Sequence, residues 1–149
     1  MNHWKLLGGL SLALLSATAW ASQPIGNLDA LEARYVACLE IKLANNCLDK
    51  MFKAHQLPWR TSPPDLKHAT NFFSNWIGED EVYKVHPIST QTVGALIEKR
   101  WYLIERGAGD LMLFSVRFRS VKGQWFYGDL QFSNEAKNLA AVTLDAAIP

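Results

Sequence analysis

Residues 110–133 read DLMLFSVRFRSVKGQWFYGDLQFS, and how this stretch is paired decides the fold. Apolar and polar side chains alternate on both sides of Lys122-Gly123, the pattern of two strands joined by a tight turn. Side chains in a strand alternate faces, so an error of one residue in the pairing inverts every one of them. A two-residue loop would set Phe118 opposite Tyr127, but Val116 opposite Asp129 and Phe114 opposite Gln131, mixing polar with apolar. A three-residue loop, Lys122-Gly123-Gln124, pairs Phe114 with Phe132, Val116 with Leu130 and Phe118 with Gly128 on one face. Its other face pairs Ser115 with Gln131, Arg117 with Asp129, Arg119 with Tyr127 and Val121 with Trp125. The second register separates the faces and is the one expected; since such loops need a positive-φ residue and Gly123 is central in this one, a bulged turn stays open.

Upstream of this hairpin, residues 82–88 and 95–106 read as two further strands, with Gly107-Ala108-Gly109 turning the chain between the latter and 111–121. Pro87 has no backbone donor and places the first strand at an edge. The stretch from Val93 to Arg106 also carries a partial helical period in Val93, Leu96, Ile97, Trp101 and Ile104, which Tyr102 and Leu103 interrupt. The strand at 111–121 needs an antiparallel neighbour of similar length, which favours strand there too.

The preceding half is helical. Leu28, Leu31, Tyr35, Cys38 and Leu39 recur at three- and four-residue steps, the stripe of an amphipathic helix over 28–44. A second helix over 47–57 carries Leu48, Met51, Phe52 and His55 and is closed by Pro58. A third over 64–77 begins at Pro64-Asp65, carries Leu66, Ala69, Phe73, Trp76 and Ile77, and ends at Gly78. After residue 133 the alanine-rich tail suggests one helical turn or a frayed end.

The first 21 residues comprise a start with one cation, an apolar run from Leu6 to Leu15, and an exit ending Ala19-Trp20-Ala21, the layout of a cleavable secretory signal. About ten apolar residues fall short of the roughly 17 to 25 that span a bilayer, so no stable membrane anchor is expected. Ser22 follows the cut, where attachment of a lipoprotein lipid would require cysteine. Cleavage leaves 128 of the 149 residues, enough for one domain. Without Lys5 that domain has 14 Lys and Arg against 14 Asp and Glu, net zero, which lacks the basic footprint of a nucleic-acid binder. The implied location is periplasmic or secreted.

Cys38 and Cys47 both fall in the exported part, where disulfides persist. Nine residues along one helix rise about 13.5 Å, whereas bridged Cα atoms sit about 4.4–6.8 Å apart. A Cys38–Cys47 disulfide therefore requires a break between them, and Asn45-Asn46 suits it because Asn tolerates the left-handed conformation.

Helices followed by an antiparallel sheet, closing on 110–133 with a Lys-Gly turn leading into a tryptophan, resemble the nuclear-transport-factor-two-like superfamily, which includes ketosteroid-isomerase-like domains. The resemblance implies an α+β single domain, its N-terminal helices packed on a curved, cone-like antiparallel sheet. It also implies that Phe114, Val116, Phe118, Leu130 and Phe132 face inward, while Arg117, Arg119, Trp125, Tyr127, Asp129 and Gln131 face outward.

Chemistry-bearing motifs are sparse. His55, His68 and His86 match no compact metal spacing, and neither a nucleophile elbow nor a phosphate-binding glycine loop occurs; no metal or cofactor is implied. The face from Arg117 to Gln131 combines Arg, Trp and Tyr, the residue types in which binding energy concentrates. The expected function is that of a non-enzymatic cell-envelope protein that binds a protein partner or a second copy of itself through this face. The alternative is a small-ligand binder, hydrolase or isomerase with an interior pocket near His55 and Glu98.

Overall fold

Asn27 opens the first helix: its side chain accepts a hydrogen bond from Ala30 N at 2.9 Å, satisfying a donor the helix start would otherwise leave unpaired. The computed structural model describes residues 22–135 and 137–140; the signal segment expected at 1–21 and most of the tail expected after 133 lie outside them. The elements are α1 (Leu28–Glu40), a 3-10 turn (Ala44–Asn46), α2 (Cys47–Ala54), α3 (Lys67–Ile77), and strands β1 (Val82–Val93), β2 (Ile97–Arg106), β3 (Leu111–Val121) and β4 (Gln124–Ser133). Residues 137–140 are helical. Among the described residues no helix is long and apolar enough to cross a membrane.

Cys38 and Cys47 are disulfide-bonded with Cα atoms 5.9 Å apart. α1 ends at Glu40 rather than near 44, because the chain takes left-handed values at Lys42, Leu43, Asn45 and Asn46. The reversal is thus spread over two left-handed steps, the second at the expected Asn pair. α2 stops at Ala54, before the expected 57, and α3 starts at Lys67, after Asp65 has accepted a bond from Lys67 N. Gly78 caps α3 with φ 51°.

The four strands form an antiparallel meander in the order β1-β2-β3-β4. The sheet is open. β1 runs on to Val93, well beyond the expected 88, and is an edge strand carrying Pro87, with Ile88 as an extra residue between the pairs Pro87–Tyr102 and Ser89–Trp101. At the opposite edge, Ile25 N donates to Trp125 O and Tyr127 N donates to His55 O, each at 2.7 Å. Both edges are thereby blunted, one by proline and a bulge, the other by chain laid along it.

The last hairpin combines the two registers weighed from sequence. Distal to the turn, Phe114 pairs with Phe132, Ser115 with Gln131, Val116 with Leu130 and Arg117 with Asp129, as expected. Nearer the turn, Phe118 pairs with Tyr127, Arg119 with Phe126, Ser120 with Trp125 and Val121 with Gln124. The turn itself is therefore the two residues Lys122 (φ 52°) and Gly123 (φ 78°), the doubly left-handed geometry whose twist matches flanking strands. Gly128 is the extra residue that reconciles the halves. A Cβ there would lie 2.8 Å from Arg117 O, so the bulge is built for glycine.

One apolar cluster joins the helices to the concave side of the sheet. It contains Leu31, Tyr35 and Leu39 of α1, Leu48, Met51 and Phe52 of α2, Phe73 and Ile77 of α3, and Tyr102, Ile104, Phe114, Val116, Phe118, Tyr127 and Phe132 of the sheet. Ring contacts run through it: Phe52 stacks on Tyr127 with centroids 4.3 Å apart, Tyr35 meets Phe114 at 6.0 Å, and Phe132 lies between Phe114 (4.8 Å) and Phe73 (5.2 Å). Phe114, Val116, Phe118, Leu130 and Phe132 all face this core, as the sequence led us to expect.

Candidate functional site

The Gly128 bulge overturns part of the expected outer face. It adds one residue to β4, so the positions on its turn side exchange faces. Tyr127 is 2 % exposed and lies in the core, and Trp125 packs against the same cluster; neither is available on the outer face. Phe126 points outward in their place. With Leu113 and Leu57 it is buried yet separate from the main core, so the outer side has a small apolar floor of its own.

Arg117, Arg119, Asp129 and Gln131 do face outward. Arg117 forms an ion pair with Asp129, each side chain about half exposed. The neighbouring strand contributes residues that the sequence reading did not select. β2 aligns Lys99 with Arg117 and Trp101 with Ser115, placing Lys99 and Trp101 on the same face. Lys99 Nζ sits 3.8 Å from the centre of the Trp101 ring, and Trp101 Nε1 donates to Gln91 Oε1 on β1 at 3.4 Å. Burial holds the Lys99 ammonium below its usual range and nearby Arg117 adds to this, against the attraction of Asp129. Arg119 lies over Trp59, its guanidinium carbon 5.0 Å from the ring centre. Trp59, 55 % exposed, reaches the sheet from the connector after α2, whose Arg60 donates to Gly128 O at 3.0 Å. The result is a surface of two tryptophans and four cations, Lys99, Arg117, Arg119 and Arg60, around the carboxylate of Asp129. His86 and Glu105, 2.8 Å apart, lie on the same face further along β1 and β2.

The concave side holds a second polar group, centred on Arg100. This residue is 8 % exposed. Its Nε donates to Glu98 at 2.7 Å, Nη2 to Asp29 at 2.8 Å and Nη1 to Glu32, tying the first two turns of α1 to β2. Desolvation opposes the guanidinium charge, but the bonds to Glu98 and Asp29 and the charge of Glu32 outweigh it and raise its pKa. Beside this group Tyr35 and Tyr102 share a hydroxyl–hydroxyl hydrogen bond of 2.5 Å. Burial pushes both phenols far above their usual value, so they stay protonated. A guanidinium with all three nitrogens engaged and two neutral phenols form a structural clasp, with the Glu98 carboxylate already committed to Arg100.

The other histidines and the expected pocket fall apart spatially. His55 is the cap residue after α2, partly exposed rather than set in the core, with Nδ1 2.9 Å from Gln23 O. Its backbone bonds to β4, whereas Glu98 lies on β2 with β3 between, and the two share no hydrogen bond or ion pair. His68 is exposed on α3. The sequence signal for Lys99 and Trp101 was their two-residue spacing, obscured by the partial helical period of 93–106. Trp59 had no such signal, because its position depends on how the connector crosses the edge of β4.

No family model matches this chain, and no curated protein matches it. Among solved structures, the chain is similar to the solution structure of RPA3114, a SEC-C motif containing protein from Rhodopseudomonas palustris. The two are 16 % identical, over 76 % of this chain and 80 % of that one, with a TM-score of 0.40.

Proposed function

We propose that this is an exported, non-enzymatic binding protein of the cell envelope that engages a protein partner, or a second copy of itself, through the outer face of its sheet. One observation carries the reading: the concave side is occupied by mutually packed rings and the committed Arg100 clasp, while Trp59, Lys99, Trp101, Arg117 and Arg119 gather on the face that lies away from the helical core. Tryptophan and arginine over a small apolar floor have the composition of an interface centre. The disulfide supports residence in an oxidising compartment, and the leader supports export. The order of helices and sheet supports the resemblance to the nuclear-transport-factor-two-like superfamily, whose fold alone does not define an activity.

The test is association of the mature protein with envelope extract and with itself, followed by affinity capture and sedimentation. Trp101→Ala combined with Arg119→Ala should abolish the association and leave the melting curve in place. A protein that associates equally well with both changes, or that associates with nothing in its native envelope, would refute the reading.

A further inference from the structure

We infer that the outer face binds an acidic protein segment, one presenting carboxylates on alternate residues of an extended strand. This rests on the outer face being the binding surface and adds the chemistry of what binds there.

The outer face carries a like-charge pair. Lys99 and Arg117 stand directly opposite one another on β2 and β3, a placement in which two cations repel. Arg119 is the next outward residue on β3, about 7 Å along the strand from Arg117. Arg117 spends its charge on Asp129. Among the described residues neither Lys99 nor Arg119 has a carboxylate within ion-pair distance; each rests instead on an indole ring. Lys99, Arg117, Arg119 and the adjacent Arg60 thus share one carboxylate, Asp129, and leave a local surplus of three positive charges. Incoming carboxylates spaced about 7 Å apart, as on alternate residues of a strand, would meet Arg119 and the Lys99–Arg117 pair together and relieve the repulsion.

The same geometry disfavours a lipid surface as the occupant. Binding in a bilayer interface buries an apolar face at the acyl boundary, and apart from the two indoles this surface presents charged side chains. The apolar residues beneath, Leu113 and Phe126, are buried and do not protrude.

The probe is a fluorescein-labelled peptide of alternating Thr and Glu, with Gln replacing Glu in the control and phosphatidylglycerol–phosphatidylcholine vesicles as a second arm. The Glu peptide should bind the full mature protein and weaken roughly tenfold as salt is raised to the point where exposed charges are screened. The Gln peptide and the vesicles should not bind. Arg117→Glu with Arg119→Glu should abolish binding, Lys99→Gln should weaken it several-fold, and all three should retain the wild-type melting curve. Equal binding of Glu and Gln peptides, vesicle binding without peptide binding, or no binding at millimolar peptide overturns the inference. If charge reversal spares the native association while Trp101→Ala abolishes it, the acidic partner is refuted and the outer-face reading stands.

Discussion

Gly128→Ala should destabilise the protein by about 1–2 kcal/mol, and the reason is steric. A Cβ at this position lies 2.8 Å from the Arg117 carbonyl oxygen, an atom of a paired backbone that cannot rotate away. To reach an ordinary contact the two strands must part by about half an ångström. Overpacking of this kind costs about 1–3 kcal/mol. Gly128 is not among the residues with positive φ, so alanine adds no backbone strain and recovers about 0.4–1 kcal/mol by restricting the unfolded chain. Around the middle of both ranges, about 2 less about 0.7 kcal/mol, the difference leaves a net loss of about 1–2 kcal/mol. Gly26 is the internal control: nothing lies within 4 Å of its Cβ position and its φ is ordinary. Gly26→Ala should therefore be neutral or stabilising by about 0.4–1 kcal/mol. Urea unfolding followed by circular dichroism and by tryptophan emission measures both. With a slope of about 2 kcal/mol per molar, the Gly128 variant should lose roughly 0.5–1 M in midpoint with the slope unchanged. Equal midpoints for Gly128→Ala and wild type would show that the bulge tolerates a side chain, and the account of why Tyr127 and Trp125 turn inward would fail with it.

Replacing Cys38 and Cys47 together with alanine should cost on the order of 2.7 kcal/mol from the chain entropy of a ten-residue loop, and dithiothreitol should lower the melting temperature of wild type but not of the variant. Arg100→Met strands Glu98 and Glu32 in partly buried positions and should cost about 3 kcal/mol. Adding Glu98→Gln and Glu32→Gln should recover much of that loss in the same urea assay, and its absence would mean the carboxylates never depended on Arg100. Asp80 accepts backbone bonds from Ala108 and Glu81, which hold its carboxyl below the usual value. A folded pKa below the unfolded one contributes stability that is present above about pH 4 and lost as pH falls through the folded value. Asp80→Asn should therefore lack that part of the acid-induced loss, as measured by melting temperature against pH from neutral to about 2.

Much of this architecture is legible along the chain because periodicity reports burial directly. Tyr35, Leu39, Phe52, Phe73 and Ile77 lie on the stripes read from spacing alone, and the four strands occur where β-branched and aromatic runs alternate. The Cys38–Cys47 separation demanded a reversal, and the chain makes one. The candidate site was only half legible. Arg117, Asp129 and Gln131 follow from the distal register, which separates polar from apolar side chains. Trp125 and Tyr127 do not, because a bulge changes the parity of a strand without changing its composition, and glycine in a strand does not announce whether it is a bulge.

Sequence by itself thus determined the helices-then-sheet order, the disulfide and the inward face of β3, since each depends on local spacing and burial. Tertiary structure decided which side chains make the outer surface. Lys99 joins Arg117 through the pairing of two strands, Trp59 joins Arg119 through the path of a connector, and Trp125 and Tyr127 leave that surface because one residue, Gly128, has no partner across the ladder. These are contacts between segments distant along the chain, and their register is a property of the assembled backbone that no single segment encodes.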